Sequence, residues 1–151
     1  MIDPVSTAAY AGLLLSSFLA ATILPLGSES VVVAMVVAGY SKAGIFAVAT
    51  IGNSLGAVVN YGAGQLGEQF IHRNAASADL PTFNKAQRIV SRWGPPAMIL
   101  AWAPVIGDPL TVIAGLAGMP FGRFFFWMCL GKGLRYAALL TATDQIQLLF
   151  R

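Results

Sequence analysis

Four charged side chains stand inside apolar sequence, and they are the residues best placed to do chemistry. Glu29 and Asp108 each follow a proline within an apolar stretch, and Lys132 and Arg135 lie in a later apolar run. An ionised side chain at the centre of a membrane helix costs about 2.5–3.5 kcal/mol on insertion scales. Such charges therefore need either a partner or a function.

For the two acids, Glu29 and Asp108, one interpretation is functional and the other structural. In the functional interpretation both carboxylates exchange protons or offset charge in one shared cavity. In the structural interpretation each carboxylate stabilises the start of a helix, where free N–H groups and the helix dipole favour negative charge. The two roles are compatible.

Lys132 and Arg135 are three residues apart and so share a helix face. They lie too deep in their apolar run to reach the membrane surface easily. They either pair with Glu29 and Asp108, which leaves a neutral interior, or bind a lipid phosphate. The planar guanidinium group of Arg135 is the better match for phosphate.

The two acids belong to a repeat with an offset of 79 residues. Pro25-Leu-Gly-Ser-Glu29 and Pro104-Val-Ile-Gly-Asp108 both place a proline four residues before a carboxylate. When residues 25–62 are aligned without gaps to 104–141, seven of 38 pairs are identical. The matched order of helix-breaking residues supports the repeat more strongly than this count does.

Helix-breaking residues divide each repeat into a hairpin. The predicted hairpin breaks are Pro25, Gly27, Pro104 and Gly107. Each returning arm contains 15 residues and, at roughly 1.5 Å per residue, is too short to cross a hydrocarbon core of about 30 Å. Short, interrupted apolar segments at matching places in two halves point to a transporter binding site.

Longer apolar runs supply the membrane helices. Val5–Leu24 forms the first arm of hairpin one, while Ala43–Leu66 and Phe124–Thr143 are predicted to span the membrane after each hairpin. One crossing per repeat would invert the second repeat. We therefore predict an all-α integral membrane protein of one domain, with an inverted repeat of two re-entrant helical hairpins, each followed by a transmembrane helix. The repeats cover about 5–66 and 95–143.

Small and polar residues on the first spanning helix predict contact with protein rather than lipid. Gly52, Gly56 and Gly64 suit a close approach of two helices. Asn53 occupies the repeat position equivalent to Lys132, which makes it a further candidate for substrate binding. The commoner role of such an asparagine is a hydrogen bond between helices.

The hydrophilic stretch 67–94 is predicted to be a basic amphipathic linker. Within it Pro81–Trp93 has apolar residues at helical spacing, with basic residues on the other side. This helix would lie on the membrane surface or, in a sharper interpretation, recognise lipid head groups. More Lys and Arg residues fall on the linker side than on the other side, so the linker is predicted to be cytoplasmic.

Composition excludes several classes of protein. The chain is 57% hydrophobic and 10% charged, whereas soluble domains carry about 25% charged residues. A net charge of +3 is too small to suggest a nucleic-acid partner. Neither Cys129 nor His72 has neighbours that suggest a metal site, and no nucleophile–base pair is evident. We expect no cofactor, no metal and no enzymatic activity.

Several motifs resemble the DedA superfamily, also called VTT or SNARE-associated-Golgi-type membrane proteins. Gly52-Asn-Ser-Leu-Gly56 and Tyr61-Gly-Ala-Gly64 resemble its G-N-x-x-G-x(4)-Y-x-x-G pattern. The Pro25 to Glu29 stretch resembles its first hairpin tip, and Ala114–Pro120 resembles the exit of its second hairpin. Leu130-Gly-Lys-Gly-Leu-Arg-Tyr136 looks most like the small bacterial YqaA branch.

The resemblance implies a transporter of lipids in the bacterial inner membrane. Bacterial members are linked to undecaprenyl phosphate and to proton coupling, and eukaryotic relatives to phospholipid movement. The family's membrane acid corresponds to Glu29. Its second-hairpin pattern R-F-x-P-x-x-R is lost, because Ala101 and Gly107 stand where the arginines would be.

The expected partners are membrane lipids, an anionic lipid phosphate and protons, with a homodimer also considered. An exporter of small solutes or cations and a non-transporting assembly protein are the alternatives. Two membrane acids without the hairpin arginines would suit a cationic ligand.

Overall fold

The computed structural model describes residues 4–22, 28–71, 88–103 and 106–149, and all regular structure in these ranges is helical. The helices, in chain order, are α1 (Pro4–Thr22), α2 (Ser28–Val37), α3 (Lys42–Ile71), α4 (88–93), the 3₁₀ helix η1 (Pro95–Trp102), α5 (Gly107–Leu116) and α6 (Phe121–Leu149). The predicted all-α class is confirmed for the described ranges.

The helix boundaries follow the sequence repeat. The short helices α2 and α5 contain ten residues each and begin 79 positions apart, at Ser28 and Gly107. The long helices α3 and α6 also begin 79 positions apart, at Lys42 and Phe121. The offset read from sequence therefore recurs in the local structure.

Both short helices end in the same glycine motif. Gly39 and Gly118 have φ values of 81° and 61°, a left-handed conformation that is strained for any residue with a Cβ. The Gly39 amide donates to Val36 O and the next amide donates to Met35 O, each at 3.0 Å. The equivalent pair of bonds, also at 3.0 Å, closes the end of α5. These bonds satisfy carbonyl groups that the helix end would leave unpaired.

Several boundaries differ from those predicted. α3 continues to Ile71 and so takes in the first residues of the predicted linker. The apolar stretch before the second returning arm forms the 3₁₀ helix η1, which begins with Pro95 and Pro96, two residues that have no amide hydrogen to donate. Of the predicted amphipathic helix, only 88–93 falls within the described ranges.

Of the four predicted hairpin breaks, only Gly107 belongs to the described part of the chain. It is the first residue of α5 and is buried. Pro25, Gly27 and Pro104 lie outside the described residues. The re-entrant course of the hairpins and the inversion of the repeat stay predictions.

Two of the described helices are long and apolar enough to cross a membrane, over Val5–Thr22 and Lys42–Gly67. α6 has sufficient length at 29 residues but is less apolar, because it carries several charges along that length. Large apolar side chains such as Leu15, Leu66 and Phe126 are exposed. An exterior of this kind matches lipid rather than water.

The chain divides into two compact units that do not coincide with the two repeats. The first unit combines Met1–Gly56 with Gly133–Arg151, and the second unit is Ala57–Lys132. Both long helices are shared: α3 passes from the first unit to the second after Gly56, and α6 passes back after Lys132. Each unit therefore contains helical segments from both repeats.

Each unit has its own apolar core. The core of the first unit comprises Leu13, Val32, Met35, Val36, Ile45, Ala49, Tyr136 and Leu140. The core of the second unit comprises Ala57, Tyr61, Val90, Ala97, Met98, Ala101, Leu110, Ile113, Ala114, Met119, Phe124 and Met128. In the second unit the rings of Tyr61 and Phe124 stack with centroids 4.4 Å apart.

Glycines allow close helix contacts in both units. A Cβ on Gly52 would meet the Leu14 carbonyl oxygen of α1 in the first unit. In the second unit a Cβ on Gly64 would overlap the Val112 carbonyl oxygen of α5. The predicted role of these glycines in helix packing is confirmed, because neither position has space for a side chain.

Candidate functional site

In the second unit, Asp108 pairs with Lys132. Asp108 is the second residue of α5 and Lys132 lies in the first half of α6. Lys132 Nζ donates to Asp108 Oδ1 at 3.0 Å. The lysine side chain is only 2% exposed, whereas the aspartate side chain is 29% exposed. A lysine buried this completely is stabilised by its carboxylate partner.

In the first unit, Glu29 pairs with Arg135. Glu29 is the second residue of α2, so it stands where Asp108 stands in α5. Arg135 Nη2 donates to Glu29 Oε1. The side chains of Arg135 and Glu29 are 18% and 33% exposed, so this pair is more open than the lysine pair. Ion pairing, one of the two roles predicted for the cations, is therefore present in both units.

The position of the acids also fits the structural role that the sequence suggested. Both carboxylates lie in the first turn of a short helix, where the helix dipole favours negative charge. In α5 the N-cap residue is Ile106, which makes no side-chain capping bond. The Asp108 carboxylate accepts a hydrogen bond from Lys132, which ties the start of α5 to α6.

A hydrogen bond beside the Glu29–Arg135 pair was not predicted. The hydroxyl groups of Ser28 and Tyr136 lie 3.1 Å apart, and both residues are buried. Each is the chain neighbour of an ion-paired residue, so the start of α2 is attached to α6 at two successive positions. The signal in the sequence was a serine and a tyrosine flanking charges in apolar stretches.

A second tyrosine performs a comparable task in the second unit. The Tyr61 hydroxyl donates to Met119 O at 2.5 Å and accepts from Gln65 Nε2 at 3.0 Å. Tyr61 belongs to α3, and Met119 lies just before α6. The sequence motif contained this tyrosine without revealing its partners.

Asn53 is engaged with a neighbouring helix of the first unit. Its side chain is buried, and Nδ2 donates to the Ser17 carbonyl oxygen of α1 at 3.2 Å. Within the described ranges Asn53 Oδ1 has no hydrogen-bond partner. The structure thus gives Asn53 the interhelical bond that sequence reasoning considered, and its role in substrate binding stays a prediction.

A third ion pair involves none of the predicted site residues. Lys42 Nζ and Asp144 Oδ1 are 2.5 Å apart, with Lys42 at the start of α3 and Asp144 near the end of α6. Both side chains are substantially exposed. Among the described residues, no group of three or more His, Cys, Asp or Glu side chains could hold a metal ion.

A family model for the VTT domain matches residues 24–145. The chain belongs to the VTT domain family. It is therefore a membrane protein of the DedA type, as the motifs predicted, and its two most apolar long helices fit that class. No solved structure matches the chain.

Curated relatives extend over most of the chain. The inner membrane protein YqaA of Escherichia coli (strain K12) is 41% identical over 131 residues, which cover 86% of this chain and 87% of the relative. YqaA of Shigella flexneri gives the same values. An uncharacterized protein of Haemophilus influenzae is 37% identical over 134 residues, covering 83% of this chain and 82% of its own.

This VTT-family chain departs from the pattern given above for the second hairpin in a way that the structure explains. Ala101 and Gly107 stand where that pattern has arginines, and the two residues contact each other. A Cβ on Gly107 would overlap the Ala101 carbonyl oxygen, and both residues are buried. An arginine at position 107 would not fit this close contact between η1 and α5. Lys132 and Arg135, the candidate phosphate ligands of this chain, lie instead on α6.

Proposed function

We propose that this VTT-family protein moves an amphiphile with an anionic phosphate head across the bacterial inner membrane. Undecaprenyl phosphate and phospholipids belong to this class. The observation that supports the proposal is that each unit pairs an acid at the start of a short helix with a cation on α6. The membrane location is carried over from the E. coli relative, whose name is inner membrane protein.

An ion pair of this kind can act as an anion-exchange site. A phosphate that replaces the carboxylate leaves the cation compensated, and the charge that then stands alone is that of the displaced carboxylate. The candidates for the phosphate ligand are Lys132 and Arg135, the two cations of α6 that pair with the acids of the short helices. Asn53 is a further candidate, since an amide group donates hydrogen bonds to phosphate oxygens.

The displaced acid offers a route to proton coupling. A carboxylate that has lost its cation can take up a proton, and it gives the proton back when the phosphate leaves and the pair closes. Glu29 and Asp108 are the candidates for this exchange. The linker 67–94 is proposed to face the cytoplasm, where the positive-inside rule places Lys and Arg.

Reconstitution tests the proposal directly. The purified protein is placed in phosphatidylcholine vesicles, and the transfer of labelled undecaprenyl phosphate between leaflets is measured with and without an imposed pH gradient. We expect faster transfer than in empty vesicles, and loss of that gain in Glu29→Gln/Arg135→Gln. A rate equal to that of empty vesicles under every gradient would exclude the proposal.

One observation favours a second candidate, an exporter of small cations in exchange for protons. In both ion pairs the carboxylate is the more exposed partner, as expected if the acids face the ligand. In that case Glu29→Gln would abolish cation efflux from loaded vesicles and leave lipid transfer unchanged. The reverse pattern would exclude the exporter.

A further inference from the structure

The two ion pairs differ in a way that divides their roles. We propose that Arg135 is the residue that exchanges its carboxylate for the lipid phosphate, with Glu29 as its displaceable counter-ion. The Asp108–Lys132 ion pair stays intact and holds α5 against α6 within the second unit. This inference rests on the proposed function and assigns its ligand-binding step to one of the two pairs.

The difference lies in the cations rather than in the acids. Glu29 and Asp108 have similar exposure, but the Lys132 side chain is almost completely enclosed while that of Arg135 is partly accessible. A phosphate group can approach the partly exposed arginine side chain with less rearrangement of its surroundings. It cannot reach the lysine ammonium group unless the second unit opens.

The chemistry of the two side chains points in the same direction. A guanidinium group presents five N–H donors in a planar fork that matches phosphate, and it holds its charge when its partner changes. An ammonium group is a single point charge, and Lys132 directs it at Asp108 with an ordinary hydrogen-bond distance of 3.0 Å. Arg135 is therefore suited to exchange and Lys132 to a fixed contact.

The bond between Ser28 and Tyr136 makes exchange feasible without loss of structure. When Glu29 releases Arg135, the adjacent buried hydroxyl pair still attaches the start of α2 to α6. The carboxylate can therefore move by side-chain rotation while the helix keeps its place. Ser28 and Tyr136 are positioning residues in this scheme.

Binding of two matched amphiphiles tests the inference. The full chain is placed in phosphatidylcholine nanodiscs and titrated with dodecyl phosphate or with dodecyltrimethylammonium, with empty nanodiscs as the baseline. The variants are Glu29→Gln, Arg135→Gln and Asp108→Asn. Lys42→Gln/Asp144→Asn is the control, since it neutralises an ion pair that lies partly on the same helix, α6.

The substitutions of Glu29 and Arg135 should change the affinity for dodecyl phosphate in opposite directions. Glu29→Gln should bind dodecyl phosphate at least threefold more tightly, because the neutral amide no longer competes for Arg135. Arg135→Gln should bind it at least tenfold more weakly. The control should match the unaltered chain. A merely structural role for Glu29 would predict weaker binding in Glu29→Gln.

Two results would overturn the inference while leaving the proposed function in place. One is tighter phosphate binding in Asp108→Asn but not in Glu29→Gln, which would make Lys132 the exchanging cation. The other is phosphate binding that Glu29→Gln leaves unchanged or weakens. If the unaltered chain instead binds both amphiphiles equally, the proposed function itself fails. If Arg135→Gln does not fold, the phosphate affinity of Glu29→Gln still tests the inference, because this variant keeps Arg135.

Discussion

At the scale of single residues, the acid of each short helix forms an ion pair with a cation on α6. The sequence predicted that Glu29 and Asp108 would either pair with these cations or serve a substrate, but it did not predict which acid pairs with which cation. Spacing along the chain places Lys132 and Arg135 on one helix face and says nothing about the helix that faces each of them. That choice depends on tertiary packing.

The buried lysine gives a prediction for stability. Lys132→Met should destabilise the protein by about 3 kcal/mol, because it leaves the Asp108 carboxylate without its cation in an apolar environment. Adding Asp108→Asn should recover at least half of this loss, since no charge then remains. Unfolding of each variant in mixed micelles, followed by circular dichroism, measures both changes.

Comparing the single variant with the double variant separates the effect of the unpaired charge from the effect of altered packing. If Lys132→Met and Lys132→Met/Asp108→Asn are equally unstable, the loss comes from the shape of the methionine side chain and not from the unpaired acid. Lys42→Met, at the exposed ion pair, is the matched control and should change stability by less than about 1 kcal/mol.

At the scale of helices, the sequence predicted the elements well where backbone chemistry is local. The repeat offset of 79 residues fixed the equivalence of α2 with α5, and the glycine turns at Gly39 and Gly118 follow the same offset. Glycine determines these ends because it adopts the left-handed conformation without strain. The extension of α3 to Ile71 was not predicted, because the predicted span ended with the apolar run at Leu66 and helical structure continues beyond it.

Close packing of α3 on α5 gives a prediction with an internal control. Gly64→Ala should cost about 1–3 kcal/mol, because the new methyl group would overlap the backbone of α5. Gly62→Ala, on the same helix, meets nothing within 4 Å and should be neutral or stabilise by up to about 1 kcal/mol. Unfolding in mixed micelles compares the two.

The pair of variants also tests the helix contact itself. Equal effects of Gly62→Ala and Gly64→Ala would show that helix propensity alone governs both positions and would contradict the close contact. A loss confined to Gly64→Ala would support it.

At the scale of the whole molecule, the sequence repeat and the compact units divide the chain differently. The sequence suggested that each repeat is a structural half, with a boundary in the linker 67–94. Instead each unit takes the first part of one long helix and the second part of the other. A gapless alignment compares residues along the chain and does not reveal which segments share a core.

This exchange of helix halves predicts that neither repeat is stable alone. If the chain is cut between Asp79 and Leu80, the two fragments should accumulate only when expressed together, and an affinity tag on one should recover the other. Gly64→Leu in the first fragment should abolish recovery, because the α3–α5 contact is then blocked. Stable accumulation of either fragment alone would contradict the prediction.

The two ion pairs differ in the number of residues between their partners, and this difference affects the order in which they form during folding. Asp108 and Lys132 are separated by 24 residues, whereas Glu29 and Arg135 are separated by 106. Short-range contacts close sooner because less chain entropy is lost. Lys132 and Arg135 emerge almost together during synthesis, so the shorter loop should let the lysine reach Asp108 before the arginine reaches Glu29. The ion pair that closes last in biogenesis would then be the one that we propose opens for phosphate.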